Sequence, residues 1–121
     1  MPELITRAYE HDNAARCLLV KGKQDHIASR NGILATVDEP VVEALEPVGG
    51  TGDTVTGIIS AFITSGMSAV DSAVLGARVN RLAGLYANPT PATQVLDIIR
   101  QIPRATEEMM KSTAKSARVM R

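Results

Sequence analysis

Five consecutive residues, Gly49-Gly50-Thr51-Gly52-Asp53, carry most of the chemistry this chain advertises. Glycine lacks a Cβ, so such a loop can turn sharply and let a ligand approach the main chain. The residues after it are strongly helix-periodic, so the loop opens onto a helix whose unpaired N–H groups and positive dipole end face back toward it. Together, Gly49, Gly50, Thr51 and Gly52 form an anion hole suited to a phosphate or a developing oxyanion. Asp53 is the odd member, because a carboxylate repels an anion. Local chemistry leaves two roles open for it: a cap on the helix's free N–H groups, or a general base taking a proton from a hydroxyl beside the anion site.

The two common nucleotide motifs do not explain this loop. Gly-x-x-x-x-Gly-Lys-Ser/Thr is absent, and Gly-x-Gly-x-x-Gly fails because position 55 is Val. The single Cys17 excludes an intramolecular disulfide, and with only His11 and His26 it cannot build a zinc cluster, so no metal ligand set is expected. Cys17 reads as a small buried apolar residue, and the two histidines as exposed side chains. Arg78 and Arg81, three apart on a helix, face either a phosphate or solvent. Lys111, Lys115 and Arg118 make a basic stripe whose flanking methionines suit a partner helix.

The elements that must position the loop follow from periodicity and punctuation. Residues 2–15 read as a helix opened by Pro2. Cys17 to Val20 is a continuous apolar run, read as a strand covered on both faces. His26–Arg30 and Ile33–Val37 flank Asn31-Gly32, which predicts a type I′ hairpin ending at Asp38-Glu39-Pro40. After the Gly-rich loop, Val55, Ile58, Ile59, Phe62 and Ile63 share one helical face that Gly66 closes. A second helix starts at Ser68 or Ala69 and runs to about Ala87, where Asn88-Pro89 breaks it. Thr90 or Thr93 caps a third, with Val95, Leu96, Ile98, Ile99 and Ile102 as buried candidates. Pro103 separates it from a last helix over 104–118 with Met109, Met110 and Ala117 inward.

This is an α/β chain: a small sheet with a β-hairpin, followed by four helices. At 121 residues it reads as one domain, 1–121, with helix, small sheet and Gly-rich loop in 1–53 and helices in 54–121. Only Tyr9, Phe62 and Tyr86 are aromatic, so the core must come from aliphatic and small residues. Thirteen Lys+Arg balance thirteen Asp+Glu, which argues against a nucleic-acid partner. The charge is uneven, about −4 over 1–53 and +4 over 54–121, which fits two differently solvated faces or a charge-complementary self-association. The acidic start Met-Pro-Glu does not resemble a signal peptide, and the apolar stretch Val55–Met67 falls short of the ~20 residues a membrane span needs, so a cytoplasmic protein without a membrane partner is expected.

Val20-Lys21-Gly22, the hairpin, and Gly50-Thr51-Gly52-Asp53-Thr54-Val55-Thr56-Gly57-Ile58-Ile59 resemble the ribokinase-like superfamily, most closely the carbohydrate-kinase-type domain of ADP/ATP-dependent NAD(P)H-hydrate dehydratases. Ala73-Val74-Leu75-Gly76-Ala77, Leu82-Ala83-Gly84, Thr90-Pro91-Ala92 and Val95 to Ile99 follow in the same order, so the likeness covers about residues 4–106. It implies a partial ribokinase-like fold, the carboxyl-terminal half of such a domain. It also implies an adenine nucleotide, ADP or ATP with Mg²⁺, lined by Lys21, Gly22, Lys23, Gln24, Asp25 and Gly52, with Asp53 as the catalytic base on the substrate side. Asn80 falls where relatives often place a polar side chain facing the nucleotide. The implied activity is a dehydratase or a small-molecule kinase. The alternative is a non-catalytic nucleotide-sensing or assembly module, or a subunit completed by another chain. With half the sheet elsewhere, the strand at Cys17–Val20 leaves an edge for a homo-oligomer or partner chain to cover.

Overall fold

The computed structural model describes residues 2–10 and 15–119, with the side chains of 113–119 left out. His11 and the side chains of Lys115, Ala117 and Arg118 lie outside the described residues. Helix α1 (Pro2–Ala8) places Ile5, with Tyr9 just beyond it, against Ala28, Leu18 and Val20. The expected helix over 2–15 is therefore described only to Ala8, with Leu4 exposed rather than packed. Three antiparallel strands follow in the order β1 (Leu18–Val20), β2 (Asp25–Ser29) and β3 (Gly32–Val37). Leu19 and Ile27 face one side of this sheet with Val37, and Leu18, Val20 and Ala28 face the other, toward α1. The apolar run at Leu18–Val20 is thus covered on both faces while pairing along one edge only, with β2.

The hairpin forms in a register that differs from the expected one. Ser29 pairs with Gly32, so Arg30 and Asn31 span the turn, and Gly32 alone takes a positive φ, +111°. A left-handed glycine at the end of the loop lets the strands twist together without a positive φ at Asn31. A further irregularity falls between Ile27 and Ala28. Beyond β3 the chain runs through a 3₁₀ turn at Glu43–Leu45 into the Gly-rich loop.

Helices α2 (Thr51–Thr64) and α3 (Ala69–Tyr86) pack closely, because a Cβ on Gly76 would stand 2.5 Å from an Ile59 side-chain carbon. Gly66, with φ +104°, ends the first, and the Ser68 hydroxyl caps the second by accepting from the Asp71 amide at 3.1 Å. α3 is the central element. Ala73 and Ala77 pack on the sheet, while Leu75, Val79 and Ala83 join Val48, Ile58 and Ile98 in the larger core. α4 (Val95–Ile99) is opened by Gln94, whose amide donates to the Asp97 carboxylate at 2.9 Å. The expected caps, Thr90 and Thr93, instead brace the preceding turn: Thr93 accepts from the Thr90 amide at 2.8 Å.

The expected break falls at residues 100–101, and α5 (Ile102–Val119) takes Pro103 into its first turn instead of starting after it. A missing N–H costs nothing there, since that amide has no intrahelical acceptor. Met109 packs on the core as expected, but Ile63, Leu96, Ile99 and Met110 are each more than 40% exposed. Among the described residues no helix is long and apolar enough to cross a membrane.

Candidate functional site

Gly50 opens α2 with φ +98°, a conformation a side chain resists, and no side chain caps the helix. The Thr54 amide makes the first intrahelical bond, to Gly50 O at 3.0 Å. The amides of Thr51, Gly52 and Asp53 are thereby left without an intrahelical acceptor. A Cβ on Gly49 or Gly52 would meet nothing within 4 Å, so open space lies in front of this turn. Gly50 differs, since its Cβ would touch Val95 at 3.0 Å, and its close approach fixes the loop against α4.

Two depressions flank the start of α2. The first, of about 620 Å³, is walled by Lys21, Gly22, Lys23 and Gln24 on one side and reaches Thr51 and Asn80 on the other, with Ile98 in its lining. Exposed carboxylates from the 38–46 segment, among them Asp38, Glu39 and Glu43, form part of its wall. The second, of about 450 Å³, is an apolar groove between α2 and the α4–α5 segment, lined by Ile58, Val95, Ile99 and Ile102 with Gly50 and Asp53.

The residues singled out in the sequence therefore do not share one space. Lys21, Gly22, Lys23, Gln24 and Thr51 line the first cavity, Gly50 and Asp53 the second, and Gly49 and Gly52 stand exposed at the turn. The capping role for Asp53 is corrected: Gly50 is the N-cap, and Asp53 sits three residues in, exposed, its carboxylate making no hydrogen bond among the described residues. Its charge still suits the positive end of the helix.

Asp25 is the other displacement. It does not line the cavity but lies beneath it, 1% exposed, accepting from the Gly22 amide at 3.2 Å and paired with Arg81 Nε at 2.9 Å. Arg81 also donates to Lys23 O at 2.9 Å, Gly22 O at 3.2 Å and Pro40 O at 3.4 Å. Arg81 is thus tied into the cavity wall, which it also lines, rather than lying on a solvated face; Arg78 is exposed. Asn80 is 5% exposed, and its Nδ2 donates to Thr51 O at 3.2 Å. The Thr54 hydroxyl lies 2.6 Å from Asn80 Oδ1 and 2.8 Å from Thr51 O, either of which can take its proton. Thr54 was not legible as a site residue, and neither was the pairing of Arg81 with Asp25. The one signal was Asn80-Arg81 following the small apolar stripe of α3, a polar pair where a core face continues.

A small antiparallel sheet, a Gly-rich loop entering a helix N-terminus and a cavity beside that turn define an α/β segment of the ribokinase-like kind. The chain belongs to the NAD(P)H-hydrate dehydratase family, whose model matches residues 6–104. It is 37% identical over 111 residues to an uncharacterised protein of Methanocaldococcus jannaschii, covering 92% of this chain and 48% of that one. It is 35% identical over 89 residues to a bifunctional NAD(P)H-hydrate repair enzyme of Pyrobaculum aerophilum, covering 72% of this chain and 17% of the enzyme. A second such repair enzyme, from Hyperthermus butylicus, is 34% identical over 90 residues, covering 73% and 16%. The chain thus spans about half the length of the first relative and about a sixth of the two enzymes. No solved structure matches it.

Proposed function

We propose that this chain carries the nucleotide loop and the base of an ADP- or ATP-dependent NAD(P)H-hydrate dehydratase. The reading rests on one observation: the Lys21–Gln24 loop and the free N-terminal turn of α2 open into a single cavity of about 620 Å³. That volume falls in the range of small-molecule sites, roughly 300–1,000 Å³. The nucleoside lies along Lys21–Gln24, and its phosphates reach the Thr51 and Gly52 amides.

The donor set fits a magnesium-bound nucleotide better than a bare polyanion. Lys21 and Lys23 supply positive charge, while Asp38, Glu39, Glu43 and Glu46 line the same space. Among the described residues no three His, Cys, Asp or Glu side chains converge as a metal cage, so Mg²⁺ would be held chiefly by phosphates, with one or two carboxylates beside them. When bound, the ion offsets phosphate charge. Asp53, on the groove side of the same helical turn, takes the proton of the substrate hydroxyl as that oxygen attacks the terminal phosphorus and the shortened nucleotide leaves. The C–O bond then breaks, with phosphate departing as an adjacent carbon loses its proton. Nucleotide and substrate thus approach the α2 N-terminus from opposite sides. A cytoplasmic setting belongs to this reading, since hydrated nicotinamide nucleotides arise where those nucleotides are used.

Calorimetric titration with ADP and with ATP, each with Mg²⁺, tests the site. Saturable binding is expected, and Gly52→Val should abolish it by filling the space before the amides while leaving the fold intact. Asp53→Asn should keep nucleotide affinity and lose turnover of the hydrate, by a factor of about 10² or more. Silence with both nucleotides from a folded sample defeats the reading. A subunit completed by a second copy or another chain is the second reading. Ile33 and Leu34, exposed on edge strand β3, favour it, and a monomeric native mass with full turnover would dismiss it.

A further inference from the structure

Two consecutive residues of α3 end on opposite walls of the first cavity. Asn80 holds the α2 N-terminal turn through Thr51 O and the Thr54 hydroxyl. Arg81 holds the opposite wall through Gly22 O, Lys23 O and Pro40 O, and its charge is balanced by buried Asp25. Neighbouring side chains on a helix diverge by about 100°, so a single turn of α3 can brace two walls. Resting on the nucleotide reading above, we infer that Asn80 and Arg81 are positioning residues: α3 is a strut that sets the Lys21–Gln24 loop at a fixed span from the α2 N-terminus.

The chemistry supports this assignment over simple core filling. A loop of lysines and glycine has little packing of its own, since Lys21, Gly22, Lys23 and Gln24 are all exposed. Its main chain is ordered from beneath, with the Asp25 carboxylate taking the Gly22 amide and the Arg81 guanidinium taking two of its carbonyls. The planar fork of arginine can hold several acceptors at once, which a lysine ammonium on a flexible stem does less well. On the other wall, Asn80 donates to a carbonyl of the turn whose amides await the anion. Binding then finds both walls already ordered, which raises affinity by removing an ordering cost.

The test uses two residues that do not line the first cavity, Asp25 and Thr54. In the full chain, Asp25→Asn should weaken Mg²⁺–ADP binding about tenfold and speed hydrogen exchange at the amides of Gly22 to Gln24. Thr54→Val, which removes the hydroxyl beside Asn80 at nearly constant volume, should also weaken it several-fold, and Thr54→Ser should restore wild-type affinity. Residues that only support the fold would lower the thermal midpoint and leave the affinity of the folded chain unchanged. If Asp25→Asn does not fold, the Thr54 pair decides the matter. Wild-type affinity in the folded variants overturns the strut alone. A wild-type chain that binds no ADP overturns the nucleotide reading and the strut with it, a visibly different result.

Discussion

The two depressions flanking α2 are built on different principles. The first mixes lysines and carboxylates with Pro40, Val41, Val42, Leu45 and Ile98, and buried polar groups hold its walls: Asp25 with Arg81 on one side, Thr54 with Asn80 on the other. The second is lined by Val95, Ile99, Ile102 and Ile58, with Asp53 as its charged residue, and its aliphatic rim stands open. A cavity whose shape is set by hydrogen bonds has a defined geometry before a ligand arrives. A groove floored by core side chains and rimmed by exposed Ile99 gains from anything apolar that covers it. On the function proposed above, the phosphates meet one side of the α2 N-terminus and the proton transfer takes place on the other, beside an apolar surface.

Helix α4 supplies residues to both spaces and gives the largest expected contrast. Ile98, 1% exposed, lines the first cavity and belongs to the main core. Ile98→Ala should cost about 2–5 kcal/mol in denaturant unfolding. Ile99, 43% exposed on the groove, should tolerate Ile99→Ser with a change of about 1 kcal/mol or less. Equal costs would mean that the groove is part of the folded core, and the contrast between the two spaces would collapse. Next in size is Gly50→Ala. It combines a positive φ with a Cβ only 3.0 Å from Val95, and should cost about 1–3 kcal/mol by thermal unfolding while weakening anion binding. A smaller effect is expected for Lys21→Met. The exposed charge should contribute about threefold to nucleotide affinity at low salt, fading as ionic strength rises. A salt-independent loss would point to contact rather than field.

Much of the fold was legible because it is written locally. The period of Val55, Ile58 and Ile59 gave α2, Ser68 and Gly66 gave the boundary between α2 and α3, and Asn31-Gly32 marked the hairpin. Periodicity was weaker at saying what covers an apolar face. Ile63, Leu96, Ile99 and Met110 share the spacing of core residues yet stand exposed. The Gly-rich loop was legible as a helix entrance, but its division between two cavities was not. That division depends on α4 closing against Gly50, a contact between residues 45 positions apart. Asp25 and Arg81 were read separately, one as ligand-lining and the other as phosphate-facing or solvated. Nothing in sequence marks an ion pair that spans 56 residues. Neutralising Asp25 from beneath the loop also removes the conflict its charge would pose beside a phosphate.

The smallest expected effect lies on the far side of α3, where Cys17 packs against Ile27, Val37, Ala73 and Ala77. Burial pushes its thiol above the ordinary value of 9.0, because the apolar surroundings disfavour the thiolate. The raised pKa fixes the sign. The folded chain keeps this proton more tightly than the unfolded one, so the group leaves stability unchanged at neutral pH and lowers it as pH rises past about 9. Cys17→Ala should flatten that alkaline decline by a small margin, measured by urea unfolding at pH 8 and pH 10. Alkylation of the wild-type thiol at pH 8 should also run slower than that of a free cysteine. The same rate distinguishes local from global loosening. If Asp25→Asn frees only the Lys21–Gln24 loop, Cys17 should react as it does in the wild type; faster alkylation would mean that α3 has parted from the sheet.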